Sequence, residues 1–588
     1  MERRFLFLLF LISFVLKESF SKCPYKTDVN VLIFGAGTAG VTAARVLYDH
    51  NLTSFKVLEA HDKIGGRIRN ITFKGVQIEV GANWIHEAPA NTESRSHNDN
   101  PIWRLARGDH LCSVDKLRGG FTESSIFMDF DNETQRYQAV NTSEIENDYI
   151  AKYKEALKTA GTNTVRQGLN MKDWYPDSPL KQLVEWSEFD FTYTATPNES
   201  VVSLTAENDN VTFGEKCFIV TDQRGFASVL RCMIANFSHH QDKVLTNANV
   251  TSIELYDECV CAEVMGQGRM CGDYGIVTFS IGVLQKWIKD NKFRVTDQRG
   301  FASVLQCIAN FDHQNKILTN TVVTSIDWND ECVCAEVMGQ GRMCGDYGIV
   351  TFSIGVLQNW IANNKFNGSL SSAKMRAITN SRMGLYLKIF VRFPSVFWDT
   401  NYHYTFHTNS TKRGYYPVLQ PIGASLPGSP PIILMSVTGD EALRISRLSK
   451  DEVRQEVVAV LREWYNNDNI PEITNDDIEY YAWNTDEFFL GMYSNNPTTL
   501  TINDKRNLAM PEGRLYFSGE ANSIEHGGAI HGAYCSGMDA ATSILTAKGT
   551  YNEASNSLPK CLPSSAKSLQ ASIITLALIL LAGMWIMT

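Results

Sequence analysis

Apolar and polar blocks alternate along residues 31–58 and predict a strand, a helix and a second strand in close succession. Val31–Phe34 is a short apolar run, which is typical of a buried strand in a parallel sheet. Residues 38–47 are predicted to form the helix, and Phe55–Leu58 the second strand. This order predicts a βαβ unit at the start of an α/β domain.

Glycines at the end of the first strand indicate a ligand for this unit. Gly35, Gly37 and Gly40 have the G-x-G-x-x-G spacing, which permits a tight turn, a close approach to a pyrophosphate and close helix packing. Glu59 ends the second strand about 20 residues later, where it can accept hydrogen bonds from ribose hydroxyls. The stretch predicts dinucleotide binding and leaves NAD and FAD open.

Later periodic segments are spread along the chain. Residues 77–80 alternate like a strand, 383–398 contain another strand, and 451–464 form an amphipathic helical pattern. Residues 91–215 are rich in polar residues with helical islands, which is consistent with an inserted substrate domain. Residues 513–545 read as a strand, a glycine-rich turn and a helix, and we expect them to close the nucleotide domain.

A duplicated block interrupts this order. Residues 220–293 are followed at once by a near-copy at 295–366, and residues 258–285 are identical to 331–358. Each copy reads as a helix followed by three strands. A sheet domain has one place for such a unit, so we expect one copy to complete the nucleotide domain and the other to be extruded or to form a satellite lobe. A recent tandem duplication and a faulty gene model both explain the repeat.

The composition and the two ends of the chain indicate where in or outside the cell the protein is located. The 588 residues are 44% hydrophobic with a net charge of -10, which argues against a nucleic-acid partner. Residues 1–21 resemble a secretory signal peptide, and N-x-S/T triplets such as that at Asn132 agree with export. The apolar tail at 569–588 indicates a glycolipid-anchor signal, with a transmembrane anchor as the alternative. We therefore expect a secreted protein at the extracellular face of the plasma membrane, touching the membrane only through this anchor.

Thirteen cysteines in an exported chain permit disulfides, whose pairing the sequence leaves open. Cys259 and Cys261 form a C-x-C pair that recurs in the second copy, within a strand-like stretch and without histidine partners. No metal site is predicted.

Several motifs together resemble a known family. GAGTAG with Glu59 is followed by GGR at 65–67 and GANWIH at 81–86, and the chain closes with YFSGE leading to HGAYCSG. In this order they resemble the flavin-dependent amine oxidases, and within them the polyamine oxidases, over residues 29–546. The resemblance implies an α/β fold: a Rossmann-like, GR2-type FAD-binding domain with an inserted α+β substrate-binding domain.

On this basis the chain divides as follows: a signal peptide (1–21), the first part of the FAD-binding domain (22–90), the first part of the substrate domain (91–215), an FAD-binding segment in repeat copy 1 (216–293), repeat copy 2 (294–366), the second part of the substrate domain (367–480), the C-terminal part of the FAD-binding domain (481–546), a linker (547–568) and the anchor signal (569–588).

The resemblance also implies FAD-binding residues. Arg67 would lie beside the pyrophosphate and flavin, and Glu520 near the ribityl chain. A backbone valine that contacts adenine in the family matches Val250 in the first copy and Val323 in the second. The remaining expected cofactor contacts are Gly81, Trp483 and Ala529. The SIEHGG turn has no cysteine for flavin attachment, so a non-covalent FAD is expected.

Three residues match catalytic positions of the family. Lys388 corresponds to a lysine that binds a water beside the flavin, and His86 to a position where it could hydrogen-bond or deprotonate the amine. Tyr493 matches an aromatic residue that flanks the amine, whereas Ala529 replaces its usual aromatic counterpart. The implied reaction is FAD-dependent cleavage of spermine, spermidine or acetylated forms by O₂, giving an aldehyde, a shorter amine and H₂O₂.

Two alternatives stay open from the sequence. One is another flavin amine oxidase, acting on monoamines or L-amino acids. The other is a non-catalytic surface protein whose fold the duplication has disabled. The oligomeric state cannot be read from the chain.

Overall fold

The computed structural model describes residues 30–553 and Cys561, apart from short gaps of one to five residues and longer gaps at 108–116, 236–243 and 273–316. The predicted signal peptide, the predicted anchor signal and the first-copy strand expected at 274–279 lie outside the described residues. None of the helices described is long and apolar enough to cross a membrane.

The α-helices have the following bounds: Thr38–Asp49, Pro101–Arg107, Ser143–Leu157, Val165–Asn170, Pro179–Glu185, Phe191–Tyr193, Val202–Asn208, Ser228–Ala235, Ile354–Ala362, Ser372–Asn380, Gly439–Ile445, Lys450–Tyr465, Ile502–Ala509 and Ile530–Ala547. A π-helical segment spans Trp186–Asp190, and short 3₁₀ turns span Ile422–Ser425, Asn475–Asp477 and Glu520–Asn522.

A parallel sheet of six strands forms the first layer. Its strands, in spatial order, are Val244–Leu245, Ile317–Leu318, Phe55–Leu58, Val31–Phe34, Tyr347–Val350 and Leu515–Phe517. Val31, Ile33 and Val57 are fully buried, as expected for strands covered on both faces. The predicted βαβ unit is therefore confirmed, and the last strand shows that the C-terminal segment does close this sheet.

The two repeat copies share the sheet domain between them. The first copy supplies the helix Ser228–Ala235, which packs on Thr38–Asp49, and Arg45 Nη1 donates to Met233 O at 3.0 Å. The second copy supplies Tyr347–Val350, which pairs directly with the first strand of the chain. The sheet domain thus takes the helix of the repeated unit from the first copy and its last strand from the second copy.

The remaining strands of the two copies form two similar three-stranded antiparallel sheets that pack against each other. The second-copy sheet is buried in the main core, where Val323, Val333 and Ala335 are fully covered. The strands are Val250–Tyr256, Cys259–Val264 and Gly268–Gly272 in the first copy, and Val323–Trp328, Val333–Val337 and Gly341–Gly345 in the second. The first-copy strands therefore form a satellite layer on the sheet domain.

A seven-stranded mixed sheet carries the other large core. The amphipathic helix Lys450–Tyr465 covers it, beginning at a capping box in which Ser449 and Glu452 satisfy each other's backbone amides. The strands in spatial order are Ile478–Tyr480, Tyr386–Arg392, Ile432–Thr438, Val418–Gln420, Tyr404–His407, Ser125–Asp131 and Arg136–Val140. The smaller sheets are Asn70–Phe73 with Val76–Glu79, Arg382–Gly384 with Tyr493–Asn495, and Trp84–Ala88, Lys216–Val220 and Leu117–Gly119.

Close packing of two helices brings their N-termini to one place. A Cβ added at Gly537, in the helix Ile530–Ala547, would lie 2.3 Å from Ala39 O in the helix Thr38–Asp49. Only a glycine allows the two backbones to approach so closely. The first turns of both helices consequently face the same cavity, at the carboxyl end of the parallel sheet.

Candidate active site

A cavity that is partly open to solvent lies at the carboxyl end of the six-stranded sheet. Thr38 and Ala39, in the first turn of one helix, and Ile530 and Ala533, in the first turn of another, contribute to its wall. Helix N-termini present unpaired amides and a positive dipole end, which favour a bound phosphate. The cavity is therefore suited to a ligand that carries a phosphate.

The predicted glycines have three separate roles at this cavity. Gly35 has φ 101, a conformation that favours glycine. Gly37 precedes the helix and faces open space, because an added Cβ would meet no atom within 4 Å. An added Cβ on Gly40 would lie 2.0 Å from Gly35 O. Gly37 thus leaves room for a ligand, whereas Gly40 allows the helix to pack on the strand.

Exchanging these two glycines for alanine should separate ligand binding from folding. Gly37→Ala is expected to leave the free energy of unfolding of the flavin-free protein nearly unchanged and to weaken flavin binding, because its methyl group enters open space. Gly40→Ala is expected to lower the free energy of unfolding by about 1–3 kcal/mol through overpacking. Urea unfolding and flavin titration measure the two effects. Equal losses of stability in both variants would contradict the assignment.

Glu59 lines the cavity. Its carboxylate accepts hydrogen bonds from the amides of Ala36 at 2.7 Å and His61 at 3.0 Å, and the side chain is 6% exposed. Glu59 O accepts from Thr321 N at 2.7 Å, which places the second repeat copy beside this residue.

Val323 is two residues beyond Thr321, whereas Val250 lies in the satellite sheet, paired with Val264. Neither valine lines the cavity, but the position beside Glu59 favours Val323 as the adenine contact. The adenine contact itself stays a prediction.

Arg67 and Glu520 meet across the cavity wall. Arg67 Nη1 lies 2.7 Å from Glu520 Oε1 and also donates to Met492 O at 3.0 Å. Glu520 Oε2 accepts from Ser494 Oγ at 2.6 Å and from the amide of Gly528 at 3.0 Å. The pair therefore joins the GGR turn to the C-terminal segment, 453 residues away.

The charge of Glu520 is maintained in spite of its burial. Burial alone would raise the pKa of this carboxyl, but the charge of Arg67 and the hydrogen bond from Ser494 hold the pKa below its usual range. Lys505 adds a second cation nearby, and its Nζ donates to Ala521 O at 3.1 Å. Glu520 is thus an ionised buried group that depends on its cationic neighbours.

Lys388 lies one layer behind the cavity wall. Its Nζ donates to Gly81 O at 2.7 Å and to Asn83 Oδ1 at 2.8 Å, on either side of Ala82, which does line the cavity. Burial lowers the pKa of Lys388 to about 8, opposed by the charge of Glu79. Gly81 packs so tightly that an added Cβ would lie 1.9 Å from Arg67 O. Lys388 and Gly81 support the wall, and their roles toward a ligand stay predictions.

Glu79 predicts a pH dependence of stability. Burial raises its pKa to about 7, opposed by the hydrogen bond from the Phe226 amide and by the charge of Lys388. The folded state therefore favours the protonated carboxyl, so full stability is present below the unfolded pKa and is lost as the pH rises toward 7. Between about pH 5 and about pH 7.5, the free energy of unfolding of wild type should fall relative to that of Glu79→Gln, by on the order of 2 kcal/mol.

Urea unfolding of both proteins at the two pH values measures this difference. Glu472→Gln, at an exposed position, is the control and should leave the pH dependence of wild type unaltered. A Glu79→Gln profile parallel to that of wild type would show that Glu79 is ionised in the fold throughout this range.

The aromatic residues predicted at the site occupy different positions. Tyr493 lines the cavity, and its hydroxyl donates to Thr192 O at 2.9 Å. Ala529 lies opposite, immediately before the helix Ile530–Ala547. Trp483 is buried away from the cavity, and its Nε1 donates to Val80 O at 3.2 Å. Tyr493 and Ala529 are thus in reach of a ligand, whereas Trp483 packs against the wall from behind.

His86 lies on the strand Trp84–Ala88, with an exposed side chain. Its Nδ1 is 3.4 Å from Cys217 Sγ on the neighbouring strand. His86 does not line the cavity, and its predicted contact with the amine stays a prediction.

Several cavity residues were not predicted from the sequence. Ser353 caps the helix Ile354–Ala362, and its Oγ donates to Phe489 O at 2.7 Å. His61 stacks on Phe489 with ring centroids 5.4 Å apart. Other unpredicted lining residues are Thr351, Phe488, Met492, Gly519 and Gly528. The aromatic loop around residue 488 was visible in the sequence, but nothing there showed which of its rings face inward.

The residues present fit an FAD. Glu59, the Arg67–Glu520 pair and Tyr493 all line the cavity, and two helix N-termini in its wall are in position for phosphates. Among the described residues, no cysteine lines the cavity, so none is placed to form a covalent bond to a flavin.

The chain was compared with known families and proteins. It matches the family described as flavin containing amine oxidoreductase over residues 38–315 and 288–545, two stretches that overlap in the repeated block. It is 26% identical to Polyamine oxidase 1 of Zea mays over 539 residues, which cover 88% of this chain and 90% of the relative. It is 27% identical to Polyamine oxidase 6 of Oryza sativa subsp. japonica over 535 residues, with the same coverage.

Solved structures show the same fold. Putrescine oxidase bound to putrescine has a TM-score of 0.59 at 14% identity, covering 88% of this chain and 99% of that one. Cyclohexylamine oxidase from Brevibacterium oxydans IH-35A has a TM-score of 0.58 at 15% identity, covering 89% and 100%. The predicted fold, the family and a non-covalent FAD are confirmed. The chain belongs to the family of flavin-containing amine oxidoreductases.

Proposed function

We propose that this protein oxidises polyamines, such as spermine, spermidine or their acetylated forms, with O₂ as the electron acceptor. The observation that carries the proposal is the similarity to plant proteins named polyamine oxidases over 88% of this chain. One C–H bond next to a nitrogen is broken, O₂ is reduced to H₂O₂, and water cleaves the resulting imine to an aldehyde and a shorter amine.

FAD, when bound, supplies the acceptor for the hydride. The residues of this chain have the tasks of orientation and proton handling. Tyr493, fixed through its hydroxyl to Thr192 O, presents a ring against which an amine can lie. From the resemblance, we expect Lys388 to hold a water beside the flavin and His86 to hydrogen-bond the substrate or accept a proton from it. Arg67 places a permanent positive charge beside the cofactor cavity.

The cavity gives little support to an amino-acid oxidase. Such an enzyme needs a cationic side chain for the substrate carboxylate. Arg67 is the only arginine among the described residues that line the cavity, and its guanidinium is bound to Glu520. An amine substrate without a carboxylate therefore suits this site better.

A substrate panel tests the proposal. Peroxide release would be measured with spermine, spermidine, N-acetylated polyamines, putrescine, an aromatic monoamine and L-amino acids, and the products identified for each substrate consumed. Turnover of polyamines supports the proposal, and turnover of amino acids alone would overturn it. A purified protein with no visible flavin absorbance would instead favour the non-catalytic alternative.

We also propose that the protein acts outside the cell, attached to the membrane by a lipid. Two disulfides support an oxidising compartment: Cys334–Cys344 between paired strands, and Cys535–Cys561, which ties the last helix to the segment that follows it. Treatment of intact cells with a phospholipase that cleaves glycolipid anchors should release the protein. A protein that stays with the membrane would indicate a transmembrane anchor instead.

A further inference from the structure

Three side chains with metal-binding atoms converge beside the cofactor cavity. Glu87 lies at the end of the strand Trp84–Ala88, His526 in the turn after Glu520–Asn522, and His531 in the first turn of Ile530–Ala547. His531 Nε2 is 3.2 Å from Glu87 Oε1, and His526 Nδ1 is 3.6 Å from the same oxygen. The three atoms all lie within 4.8 Å of one another.

These separations agree with a tetrahedral metal centre. Zinc binds imidazole nitrogen and carboxylate oxygen at about 2.0–2.1 Å, so two ligand atoms of a tetrahedral site are roughly 3.3 Å apart. The two separations from Glu87 Oε1 bracket that value. Two nitrogens and one oxygen form a donor set that suits zinc and similar transition metals rather than magnesium or calcium.

His526 supplies a second, independent observation. Its side chain is 8% exposed, and its Nδ1 is buried without a hydrogen-bond partner in the described part of the chain. The distance of 3.6 Å to Glu87 Oε1 is too long for a hydrogen bond. A buried polar atom without a partner is costly, and a coordinated ion between His526 and Glu87 would satisfy it.

The surroundings hold the three groups in place. The amide of Phe213 donates to Glu87 Oε2 at 3.2 Å, which leaves Oε1 directed at the two histidines. The Phe213 ring stacks on His526, with centroids 5.2 Å apart. The amide of His526 donates to Ser523 Oγ at 3.1 Å, and Asn208 Nδ2 donates to Gly527 O at 3.1 Å. Such contacts to the ligands and their turn orient the groups of a metal site.

We propose that Glu87, His526 and His531 bind one zinc-like divalent metal ion, with water at the fourth position. The sequence predicted no metal site, and Glu87 is separated from the two histidines by more than 430 positions along the chain. The ion would fasten the turn from His526 to His531 to the strand Trp84–Ala88. Gly528 and Ala529 of that turn line the cofactor cavity, so the ion stabilises one wall of the cavity.

Zinc binding to the purified holoprotein tests the proposal. After treatment with a chelator, wild type titrated with Zn²⁺ should bind one equivalent, by calorimetry and by metal analysis of the washed protein, and its melting temperature should rise. His526→Ala is expected to weaken zinc binding by about a hundredfold or more. His403→Ala, at a half-buried histidine outside the cluster, is the matched control and should bind zinc as wild type does.

Glu87→Gln is a second variant, in case His526→Ala fails to fold. It keeps the size of the side chain but removes the anionic ligand, and it should also weaken zinc binding. The visible absorbance of the bound flavin verifies that each variant is folded. Wild type that binds less than half an equivalent of zinc, or a flavin-loaded His526→Ala or Glu87→Gln variant that binds zinc within threefold of wild type, would overturn the proposal.

Discussion

Arg67→Met is expected to destabilise the protein by on the order of 3 kcal/mol and to abolish stable flavin binding. The substitution leaves the Glu520 carboxylate, 5% exposed, without its closest cation. A buried charge whose partner is removed costs far more than the pair contributes when intact. Lys505, Ser494 and the Gly528 amide remain as neighbours of Glu520, and for this reason we place the loss at the lower end of the range for broken buried pairs.

Urea unfolding and the visible absorbance of the purified protein measure these two losses. Arg69→Met is the control, because Arg69 lies two residues away and packs on the Tyr481 ring instead of Glu520. A double variant, Arg67→Met with Glu520→Gln, should recover much of the lost stability, because it removes the unpaired charge, but should not recover flavin binding. Arg67→Met protein that purifies with a full complement of flavin would contradict the role of the pair.

The local part of the site was predictable because its residues are close in sequence. Gly35, Gly37, Gly40 and Glu59 lie within one βαβ unit, where strand, turn and helix fix their positions with no help from distant residues. Arg67 and Glu520 could be related only through a resemblance to a family, since no local pattern connects residues 453 positions apart.

The repeat shows what the sequence could not decide. Two copies with identical strands have equal propensity for the sheet, so composition and periodicity cannot choose between them. Chain connectivity makes the difference: the first copy's helix and the second copy's strand are the elements joined to the preceding and following parts of the fold. The cluster of Glu87, His526 and His531 was not predicted because no local pattern connects Glu87 with His531, 444 positions later.

Lys388 was predicted to bind a water beside the flavin, and the structure shows which groups its ammonium contacts. Its ammonium group is bound to the backbone oxygen of Gly81 and to the side-chain Oδ1 of Asn83, so it holds the two residues that flank Ala82 in the cavity wall. Neither periodicity nor burial could show these partners, which come from the connection between the strands Val76–Glu79 and Trp84–Ala88, about 305 residues earlier. The same position allows two roles, support of the wall and proton handling near it, and a substitution can distinguish them.

Lys388→Met should slow reduction of the bound flavin by roughly a hundredfold or more, if the ammonium group orients a water that takes part in the reaction. The substitution should also cost about 1–3 kcal/mol of stability, because Gly81 O and Asn83 Oδ1 lose their donor. Anaerobic stopped-flow mixing with a polyamine measures flavin reduction directly, and a second mixing with O₂ measures reoxidation.

Lys374→Met separates the loss of a buried ammonium group from the loss of catalysis. Lys374 is 1% exposed, its Nζ donates to Leu508 O at 2.6 Å and to Met510 O at 2.5 Å, and it does not line the cavity. Both variants should therefore be less stable than wild type, but only in Lys388→Met should the bound flavin be reduced more slowly. If the bound flavin is reduced at the same rate in the two variants, Lys388 only supports the cavity wall. Removal of its buried ammonium group would then affect stability but not the chemistry.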